Sequence, residues 1–422
     1  MKSKGTESST DLAVIGLGYV GLPLAQAAVK GGLSVVGLDV NQRVVADLDA
    51  GRSHVDDLSD AEVREMLALG FTATTDPEVL ASAETIVICV PTPLSETQGP
   101  NLTAVSAAAE TIADHLRPGV LVVLESTTYP GTTEEVVQPL LEKSGLIAGR
   151  DFHLAFSPER VDPGNETWGI VNTPKVVGGL TPTCTKAAAA FYGRFIDAVH
   201  RASSPKEAEM AKLLENTYRH VNIALVNEMA VFCHDLGIDL WEAISLAKTK
   251  PFGYQAFYPG PGVGGHCIPI DPNYLSYKVR TLGYPFRFVE LAGEINNRMP
   301  EYVVNRGMRV LNEDRKALAG ARVVLLGVTY KPDIADERET PAASVARKLI
   351  AAGAELAYHD PYVSDWRVDG RPVERVADPS GAEADLYILL THHREYVDSK
   401  VKGCRPLLDT RGILEEEGVT RL

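Results

Sequence analysis

The region around residue 16 restricts the fold more than any other part of this chain. Residues 12–15 are apolar and end in the β-branched pair Val14-Ile15, as in a buried strand, and the pattern Gly16-x-Gly18-x-x-Gly21 follows directly. A helical segment around 20–30 comes next, and a second strand at 35–38 then ends in an acid, Asp39. This order predicts the first βαβ unit of a Rossmann fold, in which a dinucleotide lies over the glycine-rich turn.

Each residue of this pattern has a physical task. Gly16 permits a tight turn, Gly18 lets the backbone approach a pyrophosphate, and Gly21 lets the helix pack closely on the strand. The carboxylate of Asp39 suits a ribose diol and would repel a 2′-phosphate, so NAD is favoured over NADP, although Arg43 weakens that preference. A purely structural turn, or a site for another nucleotide-derived ligand, is the alternative interpretation.

The rest of the chain repeats the alternation of strands and helices in two blocks. In the first block we predict strands at 12–15, 35–38, 86–90, 120–124, 153–156 and 175–177, and helices around 20–30, 60–69, 103–116, 132–143 and 183–196. In the second we predict strands at 323–326, 356–358, 386–390 and 407–408, and a helix at 341–352. Both blocks indicate α/β domains with mostly parallel sheets. The second lacks a G-x-G-x-x-G turn and should hold a nucleotide differently.

A long helix is predicted between the two blocks. Ser204, Pro205 and Glu207 form a helix-start signal of the capping-box type, and no glycine or proline follows until Gly237. Apolar residues at 210, 214, 221, 225, 229 and 232 predict one buried stripe. Such a helix joins domains and offers a dimer surface, unless it packs only within its own chain. We therefore predict a Rossmann domain at 1–202, a central helical domain at 203–305 and a Rossmann-like α/β domain at 306–422.

Charge and composition exclude several classes of partner. The net charge of −15 over 422 residues argues against nucleic acid and anionic membranes as partners. No run of 18 apolar residues predicts a membrane span, and residues 1–10 lack an apolar signal core, so a cytoplasmic location is expected.

The cysteines show neither metal nor redox spacing, so we expect no metal and no disulfide framework. Small buried apolar roles are expected for Cys89, Cys184, Cys233 and Cys404.

The fifth cysteine, Cys267, lies in a very different setting. Residues 258–272 contain four glycines and four prolines, which predicts a rigid loop that can approach a ligand closely. A thiol on such a loop, in a chain with a dinucleotide site, suggests oxidation beyond an aldehyde through a sulfur-bound intermediate. The alternative is an inert buried thiol. His266 is adjacent, but neighbouring side chains diverge, so we leave it out of the catalytic set.

Taken in order, these motifs resemble the nucleotide-sugar 6-dehydrogenases, the family that contains UDP-glucose and UDP-N-acetylhexosamine dehydrogenases. The matching segments are residues 18–23, 90–93, 125–127, 156–160, 212–216, 258–272, 331–341 and 409–412. The resemblance implies oxidation of a sugar's primary alcohol to a carboxylate with two NAD per turnover. It also implies a homodimer built around the long helix, with NAD bound by the N-terminal domain and the UDP-sugar by the C-terminal domain.

The resemblance also assigns candidate site residues. The proposed catalytic set is Cys267, Lys212, Asn216, Glu159, Asp271 and Thr127. The proposed cofactor set is Gly16, Gly18, Tyr19, Val20, Gly21, Asp39, Arg43, Pro91, Thr92 and Thr127. The proposed substrate set is Glu159, Arg160, Lys212, Asn216, Phe257, Tyr258, Gly264, Lys331, Arg338 and Arg411.

Some of these roles can be argued from chemistry, and each has a plainer alternative. Lys212 and Asn216 are four residues apart on one helix face and would donate to a developing oxyanion; otherwise they are solvated surface groups. Glu159 is implied to be a base for water, against an ordinary ion pair. Asp271 would orient water or steady Lys212, against a structural turn, and Thr127 would relay a proton, against a cap.

One departure from the family pattern bears on the substrate. UDP-glucose enzymes generally carry an arginine upstream of the thiol loop, and residues 248–258 contain none. This favours UDP-N-acetylglucosamine or an epimer, UDP-N-acetylmannosamine or UDP-N-acetylgalactosamine, with UDP-glucose as the alternative.

A two-electron dehydrogenase would have no need of Cys267. A non-catalytic NAD-responsive binding protein is the alternative of another class, and the intact catalytic set argues against it.

Overall fold

The computed structural model describes residues 10–55, 58–94, 99–162, 165, 167–265, 268–397, 401, 403–414 and 418–422. His266, Cys267 and nearly all of the predicted leader lie outside these residues. The chain forms two compact units. The first comprises Met1–Glu215 with Asn273–Gly283, and the second comprises Asn216–Pro272 with Tyr284–Leu422.

The first unit is a Rossmann-type α/β domain. Its strands are β1 (Thr10–Ile15), β2 (Val35–Leu38), β3 (Thr72–Thr74), β4 (Ala83–Ile88), β5 (Leu121–Leu124), β6 (His153–Phe156), β7 (Lys175–Gly179) and β8 (Val199–Arg201). Its helices are α1 (Gly21–Lys30), α2 (Gln42–Asp49), α3 (Asp60–Ala68), α4 (Thr103–His115), α5 (Gln138–Leu141) and α6 (Pro182–Tyr192). Single helical turns lie at Pro77–Ser82, Thr133–Val137 and Glu142–Ser144.

The described strands of this unit form one sheet in the order β3-β2-β1-β4-β5-β6-β7-β8. Every neighbouring pair is parallel except β6 and β7. Residues on both faces of the central strands are buried, because helices cover both sides, and this explains their nearly continuous apolar sequences. Strand order reverses between β1 and β4, so a crevice opens there at the carboxyl ends of the strands, where α/β sheets bind ligands.

All six strands predicted in this unit are present, within a few residues of the predicted bounds. Strands β3 and β8 were not predicted. Each has three residues and lies at an edge of the sheet, and each is partly exposed. Edge strands this short carry no apolar run, so periodicity does not reveal them.

The predicted long helix is present as α7 (Pro205–Asp235), 31 residues long. The hydroxyl of Ser204 accepts a hydrogen bond from the backbone N–H of Lys206 at 3.2 Å and donates one to the carboxylate of Glu207. Gly237, just beyond the helix, has a φ of 68°, a left-handed conformation that glycine adopts at little cost. The start and stop signals in the sequence therefore set the bounds of this helix correctly.

The predicted buried stripe of α7 is wrong. Leu214, Leu225 and Phe232 are 60%, 53% and 46% exposed. The buried face is a neighbouring one and includes Ala208, Leu213, Thr217, His220, Ala224, Asn227 and Ala230. It mixes small, apolar and polar side chains, so a pattern of large apolar residues did not identify it.

A buried carboxylate anchors the start of α7 to the sheet. Glu209, which is fully buried, accepts hydrogen bonds from the backbone N–H groups of Gly131 at 2.5 Å and Thr133 at 3.0 Å. It also accepts one from the Thr133 hydroxyl at 2.7 Å. Burial raises the pKa of Glu209 to about 7 in spite of these donors. The contacts hold the turn after β5 against the helix one turn before Lys212.

The second unit combines helices with another parallel sheet. Besides the rest of α7, its helices are α8 (Leu240–Lys248), α10 (Arg287–Glu313) and α11 (Pro341–Ala351); α9 (Asp271–Thr281) begins here and continues in the first unit. Its strands are β9 (Arg322–Leu326), β10 (Glu355–His359), β11 (Arg367–Val368), β12 (Arg371–Pro372), β13 (Glu374–Arg375), β14 (Leu386–Leu389), β15 (Leu407–Asp409) and β16 (Val419–Arg421), with a helical turn at Pro379–Gly381.

The described strands of the second unit form a parallel sheet in the order β13-β10-β9-β14-β15-β16 and a small β11-β12 hairpin. The four strands predicted here are β9, β10, β14 and β15. The domain boundary predicted at residue 305 falls within α10. No helix in the described parts of the chain is both long enough and apolar enough to cross a bilayer.

Candidate active site

The glycine-rich turn has the geometry that a dinucleotide requires. Gly16 has a φ of 89°, and a β-carbon there would lie 2.7 Å from the carbonyl oxygen of Cys89. A β-carbon on Gly21 would lie 1.9 Å from the Gly16 carbonyl oxygen, so only glycine lets α1 start this close to β1. Around Gly18 a β-carbon would meet no atom within 4 Å, which leaves open space for a phosphate group. The residues fit NAD.

Asp39 supports this turn as well as facing the ligand edge. Its carboxylate accepts hydrogen bonds from the backbone N–H groups of Leu17 at 2.9 Å and Asn41 at 2.8 Å. The acid thereby ties the glycine-rich turn to the end of β2. Arg43 points away into solvent, with its side chain 90% exposed and its nearest acid Asp47 at 3.8 Å. The geometry favours an unphosphorylated ribose.

The ends of β4 and β5 bring the other predicted cofactor residues together. The hydroxyl of Thr92 donates to the carbonyl oxygen of Thr127 at 2.8 Å, and Ser126 donates to the carbonyl oxygen of Val90 at 2.7 Å. Pro91 is exposed beside them. The hydroxyl of Thr128 is buried and has no hydrogen-bond partner among the described residues, so it is a second candidate for the proton relay predicted at Thr127.

Glu159, just beyond β6, lies in a network of charged groups. One carboxylate oxygen accepts from the backbone N–H groups of Arg160 at 2.7 Å and Val161 at 2.5 Å. The other lies 3.3 Å from the Lys175 ammonium. Burial alone would raise the pKa of Glu159, but Lys175, the Val161 N–H and Lys212 lower it below the usual value. The carboxylate is therefore ionised and fixed in orientation, as a group that orients water must be.

Lys212 lies on the buried face of α7 and is 8% exposed. It is close enough to Glu159 to lower the pKa of that carboxyl, yet its ammonium has no hydrogen-bond partner among the residues that the structure describes. Lys212 is thus not an exposed surface lysine, and its catalytic role stays a prediction. Because its ammonium has no partner among these residues, a ligand oxygen would complete its hydrogen bonding.

Asn216 and Asp271 meet in the second unit. The side-chain amide of Asn216 donates to the carboxylate of Asp271 at 2.5 Å. Asp271 is buried and is the first residue of α9, four residues after Cys267. The far end of the cysteine loop is therefore attached to the helix that carries Lys212 and Asn216.

The described part of the cysteine loop packs on the C-terminal sheet. A β-carbon on Gly264 would lie 2.8 Å from Tyr330 and from the Glu339 carbonyl oxygen, and one on Gly265 would lie 2.8 Å from the Tyr330 ring. The carbonyl end of β9 leads into the segment with Tyr330 and Lys331. These glycines let the loop lie flat against the edge where an α/β sheet binds its ligand.

Arg411 lies at the same edge, beyond β15. The Asp409 carboxylate accepts backbone hydrogen bonds from Arg411, Gly412, Ile413 and Leu414 at 2.8–3.0 Å, which holds the turn. The Arg411 side chain donates to the Leu390 carbonyl oxygen at 2.6 Å, and a β-carbon on Gly260 would lie 2.7 Å from it. Burial lowers its pKa to about 10, so it stays cationic at neutral pH.

A buried aspartate–histidine pair holds the loop that carries Lys331. Asp360 accepts from the Val328 N–H at 2.7 Å and lies 3.0 Å from Nε2 of His393. The N–H of Asp333 donates to Nδ1 of His393 at 3.0 Å, so Nε2 carries the proton when the ring is neutral. Both ends of the loop are thereby fixed.

The other predicted substrate residues are engaged in local contacts. Arg338 binds Asp336 through two parallel hydrogen bonds of 2.8 and 2.5 Å. Arg160 donates to the Pro174 carbonyl oxygen at 2.6 Å and pairs with Glu215 at 2.8 Å. Phe257 packs edge-on against Tyr218, and Tyr258 stacks on Trp241 with 6.0 Å between ring centres. These contacts order the loops around the site, and each residue's role toward the substrate stays a prediction.

Two site residues escaped the sequence analysis. Lys175 is the first residue of β7 and has no motif around it, so nothing in the sequence marks it. Glu125 directly follows strand β5, as Asp39 follows β2. An acidic residue directly after a buried strand was therefore a feature of the sequence that could have identified Glu125.

Taken together, the fold and site define a dinucleotide-dependent dehydrogenase with a second nucleotide-binding α/β domain. Three family descriptions match successive parts of the chain: the UDP-glucose/GDP-mannose dehydrogenase family NAD binding domain at residues 10–196, its central domain at 206–298 and its UDP binding domain at 324–416. The chain belongs to the UDP-glucose/GDP-mannose dehydrogenase family. It is an NAD-dependent nucleotide-sugar dehydrogenase, as the sequence predicted.

Individual relatives agree with the family assignment. The chain is 38% identical to UDP-N-acetyl-D-glucosamine 6-dehydrogenase of Pseudomonas aeruginosa, over 94% of this chain and 93% of the relative. It is 35% identical to UDP-N-acetyl-D-mannosamine dehydrogenase of Methanocaldococcus jannaschii, over 96% and 93%. A structure of UDP-D-ManNAc dehydrogenase from Pyrococcus horikoshii matches with a TM-score of 0.89 and 33% identity, over 97% of this chain and 98% of that one.

Proposed function

We propose that this enzyme oxidises the primary alcohol of a UDP-N-acetylhexosamine to a carboxylate in two steps, through a thioester on Cys267. Lys212 is the observation that carries the proposal: a lysine that is only 8% exposed lies near an ionised carboxylate, and its ammonium has no hydrogen-bond partner among the described residues. A site so arranged favours an oxygen on which negative charge develops.

The stoichiometry follows from the chemistry. Bound NAD accepts one hydride in each of the two oxidations. The alcohol and one water thus become a carboxylate, and two NAD become two NADH with release of three protons. The Cys267 thiolate adds to the aldehyde carbon, the resulting hemithioacetal loses a hydride to leave a thioester, and water then releases the acid and regenerates the thiol.

The chain's own residues divide these tasks. Lys212 and Asn216 donate to the substrate oxygen when it becomes an alkoxide or oxyanion. Glu159 orients the hydrolytic water, and Asp271 holds Asn216 in place at 2.5 Å. Lys331 and Arg411 supply positive charge at the ligand edge of the C-terminal sheet for the diphosphate.

The sugar is proposed from two facts. Residues 248–258 lack the arginine that UDP-glucose enzymes generally carry. Relatives that are 33–38% identical are named for N-acetylated sugars, whereas a matching structure of a UDP-glucose dehydrogenase from Pyrobaculum islandicum is 27% identical, with a TM-score of 0.86.

A panel of nucleotide sugars tests this function. Limiting UDP-N-acetylglucosamine, UDP-N-acetylmannosamine, UDP-N-acetylgalactosamine or UDP-glucose is incubated with excess NAD, and NADH absorbance is followed to completion. We expect two NADH per sugar for an N-acetylated substrate and a lower kcat/KM for UDP-glucose. One NADH per sugar would mean a two-electron enzyme, and none with any sugar would favour a binding protein.

We also propose a homodimer formed through the exposed face of α7. Tyr218, Leu225 and Phe232 follow one another at seven-residue spacing and are 48%, 53% and 46% exposed. Apolar residues at this spacing form one seam along a helix, the pattern of helix pairing. Exposed apolar surface of this kind marks an interaction site on a soluble protein.

Charge placed on that seam should dissociate the dimer. We expect Leu225→Glu combined with Phe232→Glu to shift the mass measured by sedimentation from twice the chain mass to the chain mass. Ile350→Glu, at an exposed apolar residue of α11, is the matched control and should stay dimeric. A wild-type chain that sediments as a monomer at micromolar concentration would contradict the proposal.

A further inference from the structure

Three charged side chains are buried together at the carboxyl edge of the N-terminal sheet. Lys175, at the start of β7, lies 3.1 Å from a carboxylate oxygen of Glu125 and 3.3 Å from one of Glu159. The side chains of Lys175, Glu125 and Glu159 are 5%, 0% and 14% exposed. The antiparallel pairing of β6 and β7 is what brings Lys175 beside the segment that follows β6.

The cluster is built to hold the ammonium in one place. The Tyr192 hydroxyl donates to the same Glu125 oxygen that faces Lys175, and the ammonium lies 5.3 Å from the centre of the Tyr192 ring. The second Glu125 oxygen is buried and has no hydrogen-bond partner among the described residues. Two buried carboxylates share one buried cation, so the charge of each depends on the other two groups.

Their surroundings shift the pKa of Glu125 and the pKa of Glu159 in opposite directions. Burial raises the pKa of Glu125, and the attraction of Lys175 only partly offsets it. Glu159 has two backbone N–H donors and a second cation, Lys212, and its pKa is lowered. Lys175 thus stabilises the charge on Glu159 while Glu125 keeps Lys175 in position.

We propose that Lys175 is a positioning residue for thioester hydrolysis, which keeps the Glu159 carboxylate charged and aligned on the hydrolytic water. The inference rests on the function proposed for Glu159. In this proposal Lys175 acts through Glu159, with which it pairs at 3.3 Å. Its ammonium occupies one Glu159 oxygen and the backbone N–H groups occupy the other, so the remaining lone pairs have fixed directions.

The test is the pH dependence of hydrolysis. Enzyme, NAD and the most active UDP-sugar are mixed in single turnover, the acyl-enzyme is trapped by acid quench, and its decay is followed by mass spectrometry after pH jumps that cover pH 3 to 8, because the wild-type acid limb lies below the usual carboxyl range. In Lys175→Met, the acid limb of the decay rate should move up by about one pH unit or more, because a nearby cation lowers a carboxyl pKa by about that much. Lys175→Arg keeps the charge and should retain the wild-type limb.

Control variants distinguish a failure of the inference about Lys175 from a failure of the role proposed for Glu159. Lys143→Met removes an exposed ammonium 2.9 Å from Glu110 and should leave the profile unchanged. If Lys175→Met does not fold, Glu125→Gln takes its place: loss of a negative charge should move the acid limb to lower pH. An unmoved limb in Lys175→Met, or in Glu125→Gln where that variant replaces it, overturns the inference. Normal hydrolysis in Glu159→Gln would instead refute the role proposed for Glu159.

Discussion

Replacement of Cys267 by serine should reduce steady-state NADH production from the alcohol by at least about a thousandfold, as loss of a nucleophile does in covalent enzymes. A serine hydroxyl is far less acidic than a thiol and would give a poorer nucleophile and an ester that is harder to hydrolyse. The measurement is the steady-state rate of NADH formation after the first turnover, with saturating UDP-sugar, combined with mass spectrometry for an acylated chain.

The same measurement on Cys404→Ala provides the control. Cys404 is a free, buried thiol of the same unit, whose pKa is raised to about 11 by burial, so it is inert. That variant should keep its activity. Near-native NADH yield in Cys267→Ser would show that the reaction needs no covalent sulfur intermediate.

Replacement of Lys212 by methionine should lower kcat by about a hundredfold to a thousandfold, the usual cost of losing one donor to an oxyanion. Methionine fills a similar volume in this buried position but cannot donate to an oxygen. Because the interaction strengthens as charge develops, KM for the UDP-sugar should change much less than kcat.

Lys206→Met is the matched control on the same helix. Lys206 pairs with Glu134 near the surface, where an ion pair contributes little. The Lys206→Met variant should leave both kcat and KM unchanged. A Lys212→Met variant with a raised KM and a normal kcat would assign Lys212 to ground-state binding alone.

Local sequence carried most of the information about the fold. The Gly16–Gly21 turn could be predicted because a β-carbon at Gly21 would meet the carbonyl oxygen of Gly16, so the residue type required there depends on near neighbours in the chain. The bounds of α7 were readable for the same reason, since helix caps involve only adjacent residues.

The sequence did not predict which face of α7 is buried. The large apolar residues Leu214, Leu225 and Phe232 are exposed, while Asn227 and His220 are buried. Asn227 is buried because it donates to Asn296 at 2.9 Å and accepts from the Gly260 N–H at 2.9 Å, residues far away in the sequence. Apolar periodicity shows that a helix face is apolar, but it does not identify which face the rest of the chain covers.

The amino-acid sequence alone determined the two α/β domains, the preference for NAD and the motifs of a nucleotide-sugar dehydrogenase, because these depend on short-range backbone geometry and on residue chemistry. Only the tertiary structure decided the charge environment of the site. Lys175 acquires its importance from Glu125 and Glu159, which lie 50 and 16 residues away and meet it only when β5, β6 and β7 lie side by side. Burial of a charge and the nearness of its partners arise from packing, and no local pattern encodes them.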